Sequence, residues 1–440
     1  MSFGILTVIV LAGLGGPLLA LSERRFIPIV LGEIVAGIVV GPQALNIVNP
    51  GNTTISFLGE VGFAMLMLTV GMHLPLRDAR LSHSLRSGTL LAALVAVLSI
   101  PAGLLVAAIA GTAHAFIYAV LLASGSAAVL LPALEEAGAT DPQAITVMAQ
   151  VTVADVVTIL SVPIVLQPSR TLHAALGGLF VAAAVLALLA TAHLLRRHAW
   201  VGHVRRLSKQ RHWALDLRLS LLVLFLLAWL AQRGGTSILI AGFGAGLMVA
   251  LIGGPKRLST QVRGIADGFF IPLYFVILGA QLDLNGLFSN LSMLALAAML
   301  ALLNVLVHLA AVALTRRPLS TGLAASAQLG VPAAVASLGL SEHVLSATVA
   351  TAIVAAALVS LVVCTLGVER MLGGERKPGG ERKLGGERKP GGERKPGGER
   401  KPGGERMPDD ERMPDDERNR ARGETSPLDS HRLPTRETGG

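Results

Sequence analysis

Charge is scarce in this sequence. Only 15% of its 440 residues are Asp, Glu, Lys or Arg, whereas a soluble globular domain carries about 25%. Cysteine is nearly absent: the one copy, Cys364, lies inside an apolar run, which excludes an intrachain disulfide framework. No nucleophile motif and no phosphate-cradling glycine loop is present. His73, His83 and His114 fall in loops without metal-ligand spacing. No G-x-G-x-x-G follows the last apolar run, so a dinucleotide-binding regulatory domain is not expected. The first apolar run has neither a basic leader nor an A-x-A-like cleavage site, and reads as a retained helix rather than a signal peptide. These absences argue against an enzyme and call for no cofactor and no resident metal.

Long apolar runs, by contrast, are abundant. Hydrophobic residues make up 52% of the chain and the mean hydropathy is +0.64. A spanning helix needs about 20 mostly apolar residues. Thirteen candidates occur, at approximately 4–21, 26–42, 56–73, 88–110, 115–134, 143–166, 172–195, 214–231, 236–253, 264–282, 290–314, 319–340 and 346–367. The expected fold is an all-α polytopic membrane protein.

A net charge of +9 could suggest nucleic acid, but its placement argues otherwise. The odd-numbered loops between thirteen helices hold sixteen basic residues: Arg24, Arg25, Arg77, Arg80, Arg86, Arg196, Arg197, Arg205, Arg206, Lys209, Arg211, Lys256, Arg257, Arg263, Arg316 and Arg317. The even-numbered loops hold two, Arg170 and Arg233. By the positive-inside rule the odd loops are cytoplasmic, the N-terminus outside and the C-terminus inside.

The two halves resemble each other. "GEIVAGIVV" (32–40) pairs with "AGFGAGLMV" (241–249), "MLMLTVGMHLPL" (65–76) with "LYFVILGAQLDL" (273–284), and "GSAAV" (125–129) with "GVPAAV" (330–335), at offsets of 209, 208 and about 205 residues. Corresponding helices are seven apart, an odd number, so the six-helix copies are expected to be inverted. Inverted repeats are a transporter signature, with the substrate site near the midplane. The fifth and twelfth helices, "ASGSAAVLLP" (123–132) and "AQLGVPAAVASLG" (327–339), share glycine, small residues and an interior proline. Both are expected to be broken there, because proline removes a helical hydrogen bond and kinks the chain, and unwound backbone can face an ion.

Asp155 stands in "MAQVTVADVVTILSVPIVL" (148–166), with no cationic residue within ten positions on either side. It is the thirteenth residue of the 24-residue run 143–166, hence near the bilayer middle. A charge there costs about 2.5–3.5 kcal/mol. Such an acid is suited to hold a proton at one moment and a desolvated cation at the next. The blander possibility is a structural acid bonded to helix backbone.

"VLGEIVAGIVVGP" (30–42), "GEVGFAMLMLTVGMHL" (59–74), "SGSAAVLLPALEEAG" (124–138), "VMAQVTVADVVTI" (147–159) and "FFIPLYFVILGAQLDL" (269–284) occur in that order. Together they resemble the second cation:proton antiporter family, relatives of the bacterial sodium/proton and glutathione-gated potassium/proton exchangers. The resemblance covers residues 1–367. It implies thirteen helices in two inverted six-helix repeats with broken crossing helices five and twelve, a homodimer in the bacterial cytoplasmic membrane, and exchange of protons for Na+ or K+. The implied mechanism is an elevator in which a core domain carries the ion past a dimerisation domain. The family's ion-binding acid sits in the sixth helix, where Asp155 matches it.

Two positions depart from the family pattern. Asp, Asn or Gln usually precedes the acid, but here the residue is Ala154. A lysine common in the eleventh helix is matched by His308, which titrates nearer neutrality than a lysine. Further candidates for the ion or proton site are Thr152, one turn before Asp155; Ser124 and Ser126 at the fifth-helix break; Gln328 at the twelfth; and Asn304, one turn before His308. Each is also a residue type that packs helices by hydrogen bonds. Glu33 and Glu60 are expected to be structural or to line an ion funnel. Ala154 leaves a roomier, oxygen-poor site, so export of an organic ion is an alternative; a non-transporting sensor or scaffold is another.

From Glu369 the character changes. "GGERKP" repeats with period six from Gly373, with one Leu384 variant, then becomes "DDERMP" and a polar end. With no apolar face to bury, residues 368–440 are expected to form a disordered cytoplasmic tail. Its Lys/Arg excess could touch anionic membrane lipids, or it is a neutral repeat expansion.

Overall fold

A computed structural model describes residues 2–20, 29–74, 79–136, 142–168, 171–195, 198, 203–204, 206–207, 210–211, 213–234, 236–253 and 256–373. Arg24, Arg25, Arg77, Arg170, Arg196, Arg197, Arg205, Lys209 and the repeats from residue 374 onward lie outside the described residues.

Among the described residues every regular element is helical. The order is α1 (Phe3–Gly13), α2 (Gly15–Ala20), α3 (Ile29–Val40), α4 (Thr53–Met72), α5 (Ala79–Ala110), α6 (Ala115–Ala123), α7 (Ala127–Glu136), α8 (Pro142–Leu166) and α9 (Thr171–Leu195). Then come α10 (Leu215–Arg233), α11 (Ile238–Ile252), α12 (Lys256–Ile265), a π-helical turn (Ala266–Phe270) and α13 (Ile271–Gln281). The last are α14 (Leu284–Ser289), α15 (Leu291–Leu314), α16 (Leu319–Ala325), α17 (Gly330–Ser341) and α18 (Ala347–Gly373). Nine helical stretches among the described residues are long and apolar enough to span a membrane, and shorter apolar helices cover Phe3–Leu19, Ile29–Val40, Ala115–Leu131 and Ile238–Ile252. Among the described residues the fold is all-helical, that of a polytopic membrane protein. Two elements outrun the hydropathy pattern: the tenth span begins at Arg257, and the last helix continues to Gly373.

The helices pack in two groups. In the first, α4 lies along α11 and α13, α13 also packs on α3, and α1, α2, α9 and α10 complete the layer. In the second, α5 packs on α6, α8 and α15, while α16 and α17 pack on α18, and α8 on α16 and α17. The groups meet more thinly than they pack within themselves, where α8 touches α9, α17 touches α4 and α11 touches α8, and where Tyr274 of α13 bonds to Ala333 of α17. Lipid tails give helices no hydrophobic reason to associate, so close backbone approach matters. Gly37 and Gly279 supply it reciprocally: a β-carbon on Gly37 would overlap the Val276 carbonyl, and one on Gly279 the Ile34 carbonyl. Outward-facing Phe116, Leu179, Leu186 and Leu222 remain exposed, as suits a lipid-facing surface.

Both expected interruptions are present. The fifth run divides into α6 and α7 at Ser124–Ser126, and the twelfth into α16 and α17 at Ser326–Leu329. The prolines are not the break points. Pro132 lies within α7, and Pro332 is the third residue of α17, a first-turn position whose missing N–H costs nothing. The backbone leaves the helix earlier, at Ser124 (φ −75°, ψ 153°) and Leu329 (φ −146°, ψ −61°). Gly125 lets the first break lie on α8, since a β-carbon there would come within 2.9 Å of the Val151 side chain.

Candidate ion-binding site

Asp155 is on α8, 1% exposed, against the first break. Its Oδ2 accepts a hydrogen bond from Ala127 N at 3.1 Å. Ala127 opens α7, so the carboxylate faces the positive end of a helix dipole. Its Oδ1 is buried and has no hydrogen-bond partner among the described residues. One turn earlier Thr152 is 3% exposed, and its hydroxyl oxygen is likewise buried and unpartnered. An unmatched buried polar group costs about 1–3 kcal/mol. Two such groups stand on adjacent turns of one helix. Ala154, between them, contributes no side-chain oxygen; its carbonyl accepts from the Thr158 hydroxyl at 2.7 Å.

The second break is a hydrogen-bonded network. Gln328 Nε2 donates to Leu121 O at 2.5 Å and to Asn304 Oδ1 at 2.8 Å. Asn304 Nδ2 donates to Ser326 O at 2.8 Å, and Gln328 N donates to Ser360 Oγ at 3.0 Å. Leu121 also receives the Ser124 hydroxyl at 2.7 Å. The last turn of α6 therefore joins the two breaks. Ser126 is buried at the end of the first one, just before α7. His308, 1% exposed, places Nδ1 2.9 Å from the Asn304 carbonyl. A carbonyl only accepts, so Nδ1 carries the proton. Among the described residues no hydrogen bond or ion pair links His308 to Asp155.

Thr152 and Asp155 on α8, Asn304 and His308 on α15, and Ser124, Ser126 and Gln328 in the breaks are all buried. Reading the sequence missed Gln150, whose side-chain oxygen is buried and unpartnered on α8. An amide inside an apolar run was the available signal. It missed Ser326 and Ser360 as well, which are ordinary as residue types and matter through their partners. Glu33 is buried with Oε2 unpartnered, whereas Glu60 lines a vestibule. No group of three potential metal ligands occurs among the described residues.

That vestibule has a volume of about 1060 Å³ and opens at one end of the helices. Gln43, Glu60, Gln167, Asp283 and Glu342 are among its polar lining, and Phe63, Tyr274 and Ser337 lie among its walls. Phe63 and Tyr274 stack with centroids 5.4 Å apart, and Tyr274 OH donates to Ala333 O of α17 at 2.9 Å. α8 enters the wall at Pro163, about 12 Å along the helix from Asp155 at 1.5 Å per residue.

Residues 6–373 match the family described as sodium/hydrogen exchanger, transmembrane. The chain is 23% identical over 384 residues to a putative Na+/H+ antiporter, YjbQ, of Bacillus subtilis, covering 81% of this chain and 61% of that protein. It therefore spans somewhat less than two thirds of that relative's length. It is 22% identical to a probable Na+/H+ antiporter, GerT, of Bacillus cereus, covering 65% of this chain and 76% of that one. It is 28% identical to the chloroplastic K+ efflux antiporter 1 of Arabidopsis thaliana, over 59% and 22% of the two chains. The solved structure of the sodium proton antiporter MjNhaP1 from Methanocaldococcus jannaschii at pH 8 superimposes with a TM-score of 0.54 at 17% identity, covering 84% of this chain and 96% of that one.

Proposed function

The chain belongs to the sodium/hydrogen exchanger family, whose members are transporters rather than enzymes, and from that membership we propose that it exchanges protons for a monovalent cation, Na+ or K+, at Asp155. One observation carries the proposal. Asp155 is fully buried, one of its oxygens faces the start of α7, and the other has no partner. A protonated carboxyl no longer attracts a cation, and a bound cation's positive charge favours the ionised carboxylate and so disfavours protonation. The two ligands therefore exclude each other. Thr152 completes the cation's oxygen set, and the Ala127 amide steadies the carboxylate between occupants. Gln328 and Asn304 hold the two breaks in register. His308 lends its ring as a second buried proton acceptor.

The movement is an elevator: the second helix group, with Asp155, slides against the first. The thin boundary between the groups supports this reading. Thirteen crossings arise when α1 with α2, α6 with α7, α12 with α13 and α16 with α17 each count as one span and the six-residue α14 counts as none. An inverted repeat accounts for why α4 on α11 is matched by α13 on α3, and α5 on α8 by α15 on α18. With the N-terminus outside and the C-terminus cytoplasmic, the vestibule faces outward in a bacterial inner membrane. Its carboxylates and amides suit an approaching cation. The family resemblance adds a homodimer surrounded by membrane lipid. Ala154 and the width of the vestibule favour a second reading, in which an organic cation leaves in exchange for protons.

The test is proton flux in proteoliposomes driven by Na+, K+ or Li+, each alone. Flux with Na+ or K+ supports the exchange. Flux with none of the three ions, but with an organic cation, supports the second reading.

A further inference from the structure

Asp283, at the vestibule mouth, centres a polar cluster that the exchange at Asp155 does not use. Its Oδ1 accepts from Gln43 Nε2 at 2.5 Å and from Gly286 N at 2.8 Å. Its Oδ2 accepts from the Thr348 hydroxyl at 3.0 Å. Its own N–H donates to Thr351 Oγ1 at 2.7 Å, and Gln43 Oε1 accepts from Asn285 N at 3.2 Å. Thr351 is 1% exposed, and its hydroxyl donates a hydrogen bond to Ala347 O at 2.6 Å. Gly286 has no room for a side chain, because a β-carbon would overlap the Asp283 carboxylate and come within 2.9 Å of Thr348 Oγ1. The cluster is thus closely fitted, and its carboxylate has more donors than the cap of the six-residue α14 requires.

Its members come from both helix groups. Gln43 follows α3, in the first group; Thr348 and Thr351 occupy the first turns of α18, in the second. We propose that Asp283 is a positioning residue that ties the two groups together in the vestibule-open arrangement, and that the tie must release before Asp155 can pass to the other side. The inference rests on the two-group movement argued above. Bonds of 2.5–3.0 Å do not survive a slide of α18 along α3 by several ångströms. The neighbouring contact behaves alike, since Tyr274 OH bonds across the same boundary to Ala333 O. The Gly286 amide first, then Gln43 and Thr348, hold the Asp283 carboxyl below its ordinary range. A lowered value means that the tie is complete above the ordinary carboxylate range and weakens only as the pH falls through the lowered one. It is therefore constant near neutrality, and the proton carried by Asp155 does not operate it.

The experiment labels a cysteine at Ser337, half-buried in the vestibule wall on α17, with a membrane-impermeant maleimide in the full-length protein in proteoliposomes. Native Cys364, 1% exposed, should stay unlabelled and reports intact packing. Thr348→Val with Thr351→Val cuts the tie on the α18 side and leaves Asp283 to cap α14. Gln43→Met cuts it on the α3 side, at an exposed turn. Each should lower the open-to-closed ratio read from labelling by about tenfold, the effect of losing one charge-assisted hydrogen bond. Because both cut one link in series, the combined variant should lose no more than either alone. Unchanged labelling, or losses that multiply, would overturn the tie. Flux measured on the Ser337→Cys parent separates the two questions: its absence contradicts the exchange reading, while the labelling comparison still decides the role of Asp283.

Discussion

At the scale of the residue, the unpartnered oxygens on α8 make the sharpest statement. Thr152 Oγ1 and Asp155 Oδ1 are buried acceptors with nothing to accept. Thr152→Val keeps the shape and removes one of them. It should weaken cation affinity about tenfold, the worth of roughly 1.4 kcal/mol, while leaving proton binding at Asp155 in place. Cation titration of flux checks this; an unchanged half-saturation concentration would remove Thr152 from the ligand set. His308 is bonded to its own helix, so its part in proton traffic needs a perturbation. His308→Lys puts there a charge that persists well above neutrality, since an ordinary lysine titrates near pH 10.4 and a histidine near 6.5. The competing charge should move the flux–pH profile to higher pH. Superimposable profiles would assign His308 to packing. Asp155 and its neighbours were legible in the sequence because a carboxylate in an apolar run has few explanations. The Asp283 cluster was not. Gln43, Asp283, Thr348 and Thr351 are ordinary polar residues spread over some three hundred positions, and only the tertiary fold brings them together.

At the scale of the element, two features decide the architecture: the breaks and the glycine crossings. Glycine and small residues marked both breaks in advance. The prolines pointed to the right helices but not to the break points: Pro332 sits in a first turn, where its missing N–H costs nothing, and Pro132 is carried inside α7. The α3–α13 crossing depends on Gly37 and Gly279 facing each other's backbone. Gly279→Leu should therefore separate the helices and destabilise the protein by at least about 1–3 kcal/mol, the ordinary cost of overpacking. The measurement is the thermal midpoint in detergent. A midpoint equal to that of the parent would show that the crossing yields without penalty. Gln150 escaped the sequence reading for a simpler reason: an amide in a membrane helix usually finds a partner in a neighbour, and only the folded arrangement shows that its oxygen has none.

At the scale of the whole molecule, the claims are the two-group movement, the orientation and the shared site. Hydropathy located the helices well because bilayer thickness sets their length, and the charge asymmetry among the loops is the ground for the proposed topology. A reporter fused after Gly367 should read cytoplasmic and one placed near Gly51 external; reversal at either point would contradict the thirteen crossings. The measurement that tests the central claim most directly is proton release on cation addition to the purified, lightly buffered protein. If Asp155 serves proton and cation in turn, Na+ or K+ should release up to roughly one proton per cation bound, most completely where Asp155 starts protonated, and Asp155→Asn should release none while folding normally. Proton release from Asp155→Asn equal to that of the parent, or cation binding to the parent with no release at any pH, would contradict the account.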